Sequence, residues 1–183
     1  ITVMFGCSRN AEKLAPVIIG KSKSLRPLRN FYFGQFSCKY LFNKNSWLTR
    51  SIFISWSECL NQKMTEINRN ICIILDNFSG HKTNHLFSNI KLIYLAPGNT
   101  SILQPLDCGI IQNFKSKYTE YIASRRIEES EQDINFSPSI KDALLLVEKS
   151  WDNIKEITIR NCWRKADVTS ATLIDLSDAT GST

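Results

Sequence analysis

Ile71-Cys72-Ile73-Ile74-Leu75 followed by Asp76-Asn77 is the stretch on which the fold turns. Five apolar residues without polar alternation predict a strand covered on both faces, and therefore a central one. Asn68-Arg69-Asn70 sets it off from the segment before, and Asp76 stands where the strand ends. Downstream, Ile90-Lys91-Leu92-Ile93-Tyr94-Leu95 reads as a second strand. The intervening residues suffice for a turn and a short helix over Ser79–Ser88, the kind of crossover that parallel neighbours need. In open α/β sheets the ligand crevice lies beyond the carboxyl ends of such strands, and Asp76 sits there.

A second carboxylate follows at Asp107, after the turn signal Gln104-Pro105. The apolar stripe Ile110, Ile111, Phe114, Tyr118, Tyr121 and Ile122 predicts a helix from about Leu106. Pro105 suits its first turn, and Asp107 would then lie near the positive end of the helix dipole. Two carboxylates brought together can share hard divalent cations, which prefer oxygen ligands and leave positions open for water and phosphate oxygens. Two such ions can polarise an attacking water and stabilise a leaving oxygen, the logic of metal-assisted phosphodiester cleavage. Spacing alone does not separate this from ordinary roles: Asp76 as a strand-ending turn residue, Asp107 as a helix-start charge. His81 and His85 lie four apart and lack a third ligand; His81 reads as a polar residue near the site mouth. Asn77 either orients a ligand carboxylate or caps the turn.

Outward from this centre, Ile1–Cys7 and Leu14–Ile19 form two apolar runs around a polar link and read as an antiparallel hairpin. A basic stretch follows, Lys21, Lys23, Arg26 and Arg29, either a solvated loop or a grip on phosphates. From Trp47 to Ile67 the residues Ile52, Phe53, Trp56, Leu60, Met64 and Ile67 fall on one helical face and predict a core-packing helix. Ser137-Pro138 opens another through Ala143, Leu145, Leu146 and Trp151, and a last helix spans about Ile157 to Lys165. Trp47, Trp56 and Trp151 are expected in the core; their exposure in a folded product would raise a third reading, a protein-interaction domain. Residues 169–183 form a polar tail expected to be disordered.

The totals bound the rest. With 183 residues and 43% hydrophobic content the chain can bury one ordinary core, and no run reaches the roughly 18 apolar residues of a membrane helix. Six cysteines are scattered singly and only two histidines are present, which disfavours a zinc or disulfide framework and suits a reducing compartment. Cys72 reads as a small core residue. A net charge of +6 favours polyanionic partners, weakly. Because the chain opens on Ile1 inside a strand-like run, a segment upstream is expected.

The segments Leu75-Asp76-Asn77-Phe78-Ser79-Gly80-His81 and Leu95-Ala96-Pro97-Gly98-Asn99-Thr100-Ser101-Ile102-Leu103-Gln104-Pro105-Leu106-Asp107-Cys108-Gly109-Ile110-Ile111 resemble the signature of the DDE superfamily endonuclease/transposase domain of Tigger and pogo elements, of the Tc1/mariner-related type. Relatives of this kind include the jerky proteins and centromere protein B. The resemblance extends to Glu12-Lys13-Leu14, Ile19-Gly20-Lys21-Ser22, Trp47-Leu48-Thr49, Trp56, Trp151 and Ile159–Ala166. It implies an α/β, ribonuclease H-like mixed sheet flanked by helices, with residues 1–168 a partial catalytic domain lacking its first strand. It further implies DNA as partner, strand cleavage and transfer as reaction, and two Mg2+ or Mn2+ ions.

By the same resemblance Asp76 and Asp107 match the second and third acids of a catalytic, metal-binding triad, with Asn77 and His81 behind them. The first acid is expected upstream of the hairpin, on a strand that in the family's sheet lies between the hairpin and Ile71–Leu75, so the chain as it stands is expected to be poorly stable and inactive. Lys21, Lys23, Arg26, Arg160, Arg164 and Lys165 are candidates for contacts to the DNA backbone. A nuclear location, no membrane association and room for a homo-oligomer complete the expectation. The alternative is a domesticated, non-catalytic DNA-binding protein derived from a transposase. Ala96, where relatives usually carry proline, and Cys108, where glutamine is common, depart from the pattern.

Overall fold

The computed structural model describes residues 1–23, 37–96, 98, 100–130 and 138–168. The α/β class expected from the sequence holds. Among the described residues five strands and five helices follow in the order β1 (Thr2–Met4), β2 (Val17–Gly20), β3 (Lys39–Phe42), α1 (Arg50–Glu66), β4 (Ile71–Leu75), β5 (Ile90–Tyr94), α2 (Thr100–Leu103), α3 (Ile111–Ser130), α4 (Ile140–Asp152) and α5 (Glu156–Lys165). The strands divide between a three-stranded mixed sheet, β1-β2-β3, and a two-stranded parallel sheet, β4-β5, an arrangement compatible with a ribonuclease H-like fold. The chain separates into two compact units, Ile1–Trp47 with Gly109–Cys162, and Leu48–Cys108 with the segment from Trp163.

In the first unit β2 is the spine. Its antiparallel partner β1 registers Val3 with Ile18, as the hairpin reading expects, and a further bridge joins Cys7 to Lys13. On its other side β3 pairs in parallel, Ile18 opposite Tyr40. Val17, Ile18 and Ile19 are all buried, because a strand paired on both edges and covered on both faces must be apolar throughout. Phe5 packs its ring 4.5 Å from both Phe114 of α3 and Trp151 of α4. The Trp151 indole N–H donates to the Leu14 carbonyl at 3.0 Å, which ties α4 to the strand hairpin. Lys13 returns the tie by donating from Nζ to the carbonyls of Trp151 and Asp152 at the carboxyl end of the helix.

Helix α4 starts with a full capping box: the Ser139 hydroxyl accepts from the Asp142 N–H, and the Asp142 carboxylate accepts from the Ser139 N–H at 2.9 Å. Arg125 of α3 reaches Asp142 at 3.1 Å, and the Lys149 ammonium lies 4.2 Å over the Tyr121 ring. These contacts fix α3 against α4. The Ser139 hydroxyl is the first cause holding the Asp142 carboxyl below its usual range.

In the second unit α1 begins at Thr49, whose hydroxyl accepts from the Ile52 N–H, and buries Phe53, Ser57 and Leu60. Strands β4 and β5 run parallel as expected, Leu75 opposite Tyr94, and the Leu95 N–H donates to the Leu75 carbonyl at 2.8 Å. At the opposite end of this pair, Asn89 donates to Asn70 and accepts from Thr65 and Ser88, closing the amide-rich turn between α1 and the sheet.

Several expectations need correction. β4 has β5 as its one strand neighbour among the described residues, and Cys72 is exposed rather than core. An apolar run reports hydrophobicity, not which neighbours cover it. No helix forms over Ser79–Ser88; that crossover is turn and irregular chain. The helix placed from Leu106 is interrupted: Leu106–Ile110 is a distorted turn with Gly109 at φ 143°, and regular helix begins at Ile111. Trp47 is 67% exposed and Ile67 and Leu145 are also exposed, whereas Trp151 is 1% exposed. Strand β3, which no alternation pattern in the sequence announced, completes the first sheet. The tail 169–183 lies outside the described residues.

Candidate functional site

Asp76 directly follows β4, so the strand itself aims it past the carboxyl end of the two-stranded sheet. Its side chain is 34% exposed, and its Oδ1 accepts from the His81 ring nitrogen Nδ1 at 2.5 Å and from the Phe78 N–H at 3.3 Å. Short charge-assisted bonds of this kind are the strong ones. An ionised carboxylate only accepts, so the ring carries its proton on Nδ1. No bond engages Oδ2 among the described residues.

His81 is held from all sides. Its side chain is 13% exposed, with the Phe53 ring of α1 at 5.1 Å and the Phe78 ring edge-on at 5.4 Å. The backbone of the loop turns tightly, His81 N–H to Phe78 O at 3.0 Å. Gly80 makes this possible, since a Cβ there would lie 2.8 Å from the Leu48 carbonyl oxygen, closer than backbone tolerates. Tyr94, the last residue of β5, donates its hydroxyl to the His81 carbonyl at 3.0 Å and accepts from the Thr83 N–H at 3.3 Å. Sequence reasoning named Asp76, Asn77 and His81, the last near the site mouth, but missed the parts of Phe53, Gly80 and Tyr94. Only a strand-end position marks Tyr94, and nothing in its neighbours says where its hydroxyl goes.

The other candidates are less gathered. The half-buried Asn77 makes no side-chain hydrogen bond among the described residues. His85 lies 3.7 Å from Glu58 and does not share a helix face with His81. Asp107 is exposed in the turn after Pro105, its N–H bonded to the Gln104 carbonyl at 3.0 Å. The expectation that a helix dipole favours its charge is corrected, because Gly109 breaks the chain direction before α3 starts. Next to it, burial pushes the Cys108 thiol up, while the nearby Lys165 charge opposes that shift.

Lys21, Lys23 and Arg164 are exposed, Arg160 is exposed and pairs with Glu156 at 3.3 Å, and Arg26 lies outside the described residues. The donor chemistry fits a hard divalent cation in kind: carboxylate oxygens, one with its second oxygen open. In number it does not reach a closed site, since no group of three or more His, Cys, Asp or Glu side chains that could hold an ion occurs among the described residues. No helix among them is long and apolar enough to cross a membrane.

A strand-end carboxylate, oriented by a histidine from its own loop on an α/β scaffold, defines a class of acid-centred site. The chain belongs to the DDE superfamily endonucleases, whose family model matches residues 1–163. Among curated proteins it is similar to Protein PDC2 of Candida albicans, at 31% identity over 79% of this chain and 22% of that protein. Protein PDC2 of Saccharomyces cerevisiae matches at 26% identity over 97% of this chain and 24% of its own length. Tigger transposable element-derived protein 4 of Mus musculus matches at 25% identity, covering 91% of this chain and 32% of the mouse protein. The chain thus spans between a fifth and a third of the length of these relatives. No solved structure matches it significantly.

Proposed function

We propose that this domain serves divalent-metal-dependent cleavage and joining of DNA strands, with Asp76 and Asp107 as metal ligands and Mg2+ or Mn2+ as the ion. The observation that carries the reading is the Asp76 carboxylate, fixed through Oδ1 and open at Oδ2 at the carboxyl end of a parallel strand pair. Family membership supports it. Bound there, a divalent cation would polarise a phosphodiester oxygen and lower the pKa of its own water. The chain's part is to hold two carboxylates, to turn one of them with His81, and to exclude water from one side of the site with Phe53 and Phe78. Two ions need a further acid beside Asp76 and Asp107.

The exposed Lys21, Lys23, Arg160, Arg164 and Lys165 are proposed to contact phosphates without reading sequence. DNA as substrate favours a nuclear location, and strand joining is compatible with a homo-oligomer. The test is magnesium-dependent nicking of supercoiled DNA by the full-length protein against its Asp76→Asn variant. Equal nicking by both removes Asp76 from the proposal. The second reading, a non-catalytic DNA-binding derivative, is favoured by the absence of a three-ligand cluster among the described residues. DNA binding without nicking at any Mg2+ or Mn2+ concentration would establish it.

A further inference from the structure

We propose that His81 is a positioning residue that restricts Asp76 to ligation through the single oxygen Oδ2, and that Tyr94 clamps the loop that makes this possible. The inference rests on the metal-ligand reading of Asp76. Both donors to the carboxylate come from the same loop and both fall on Oδ1, the Phe78 N–H at 3.3 Å and His81 Nδ1 at 2.5 Å. A carboxylate oxygen offers two lone pairs, so Oδ1 is filled. The carboxylate is thereby fixed against rotation about its last bond, and a bidentate grip on an ion would have to break the His81 bond. A one-oxygen ligand leaves the ion's remaining positions to water and phosphate, which is the arrangement small hard cations favour.

The imidazole cannot yield cheaply. Phe53 and Phe78 box its ring, and Gly80 brings the loop backbone against Leu48. Tyr94 then ties the loop to the sheet at the right place. It is the register partner of Leu75, the residue just before Asp76, so its hydroxyl bonds to His81 O and Thr83 N–H start from the same end of the strand pair that carries the acid. Acid, histidine and tyrosine thus belong to one hydrogen-bonded unit. Partners behind a metal ligand typically change ion affinity by about 10- to 100-fold when removed.

The test titrates Mn2+ alone, without DNA, into the full-length protein by electron paramagnetic resonance of the free ion. Asp76→Asn should reduce binding to background. His81→Leu should weaken it by about tenfold or more. His81→Asn, whose amide N–H can stand where the Nδ1 proton stood, should return to near wild-type affinity, and Tyr94→Phe should fall between. In the metal-free protein a downfield ring N–H resonance of His81 should vanish in Asp76→Ala.

A folded His81→Leu protein with wild-type Mn2+ affinity overturns the positioning role while sparing Asp76 as a ligand. Unchanged binding by Asp76→Asn sinks the metal reading itself. Should the leucine variant fail to fold, His81→Asn decides: wild-type affinity supports the proposal, and a folded asparagine variant binding tenfold more weakly overturns it. An unaltered Tyr94→Phe protein removes the clamp.

Discussion

Replacing Trp151 by phenylalanine isolates the contact on which the first unit depends. The indole is 1% exposed, stacks on Phe5 at 4.5 Å, and gives its N–H to the Leu14 carbonyl at 3.0 Å. Phenylalanine keeps an aromatic ring there but removes the donor. The Leu14 carbonyl is then left unpaired beside the core, at a cost of about 1–3 kcal/mol. The missing part of the indole leaves a void worth roughly 1 kcal/mol more, because packed surroundings relax only in part. The expected loss is about 2–4 kcal/mol, and Trp151→Ala should exceed it, approaching or passing about 5 kcal/mol. Against a total stability of order 5–15 kcal/mol, the alanine variant verges on unfolding.

Urea denaturation of residues 1–183 followed by far-UV circular dichroism measures this without relying on tryptophan emission. The midpoint should fall with an unchanged slope. A Trp151→Phe variant within about 0.5 kcal/mol of wild type would refute the assignment of Trp151 as the tie between α4 and the hairpin, since neither the bond nor the void could then cost what such features ordinarily cost. The exposed Trp47 is the internal control, and Trp47→Ala should change stability by less than about 0.5 kcal/mol.

Other perturbations give separate checks. Asp142→Ala removes the capping box and the Arg125 partner and should cost about 1 kcal/mol or somewhat more. Because the Ser139 hydroxyl holds the folded carboxyl below the usual carboxylate range, that contribution is complete above about pH 5 and disappears as pH falls through the lower folded value, so wild type and variant should converge in acid. Gly80→Ala places a methyl group 2.8 Å from the Leu48 carbonyl and must displace the His81 loop, and weakened Mn2+ binding by the variant tests it. Gly109→Ala forces a side chain to φ 143° with a Cβ 3.2 Å from the Cys162 sulfur, and should cost about 1–3 kcal/mol in urea midpoint measurements. In the native protein the buried Cys38 thiol, pushed up to about 11 chiefly by burial with Glu148 adding to it, should resist alkylation at neutral pH while the exposed Cys59 reacts. Mass mapping of a maleimide adduct on Cys38 would contradict that burial.

Local patterns settle much of this protein's secondary structure. The hairpin β1-β2, helices α1, α4 and α5, the strands β4 and β5, and the position of Asp76 at a strand end are legible because apolar periodicity and polar punctuation act over a few residues. The same reach explains the misses. Cys72 and Trp47 look like core by composition, yet exposure is decided by which distant segments arrive to cover them. β3 is short, and it is a strand because β2 offers it an edge; Gly109 breaks a helix whose apolar stripe runs on regardless. The sequence by itself determined the residue types of the candidate site and the strand that presents Asp76. Tertiary structure alone decided that His81 turns back onto Oδ1, that Phe53 and Tyr94 hold it there from other elements, and that Trp151 rather than Trp47 is buried. Those outcomes depend on packing between segments distant in sequence, and local periodicity carries no information about which distant surfaces meet.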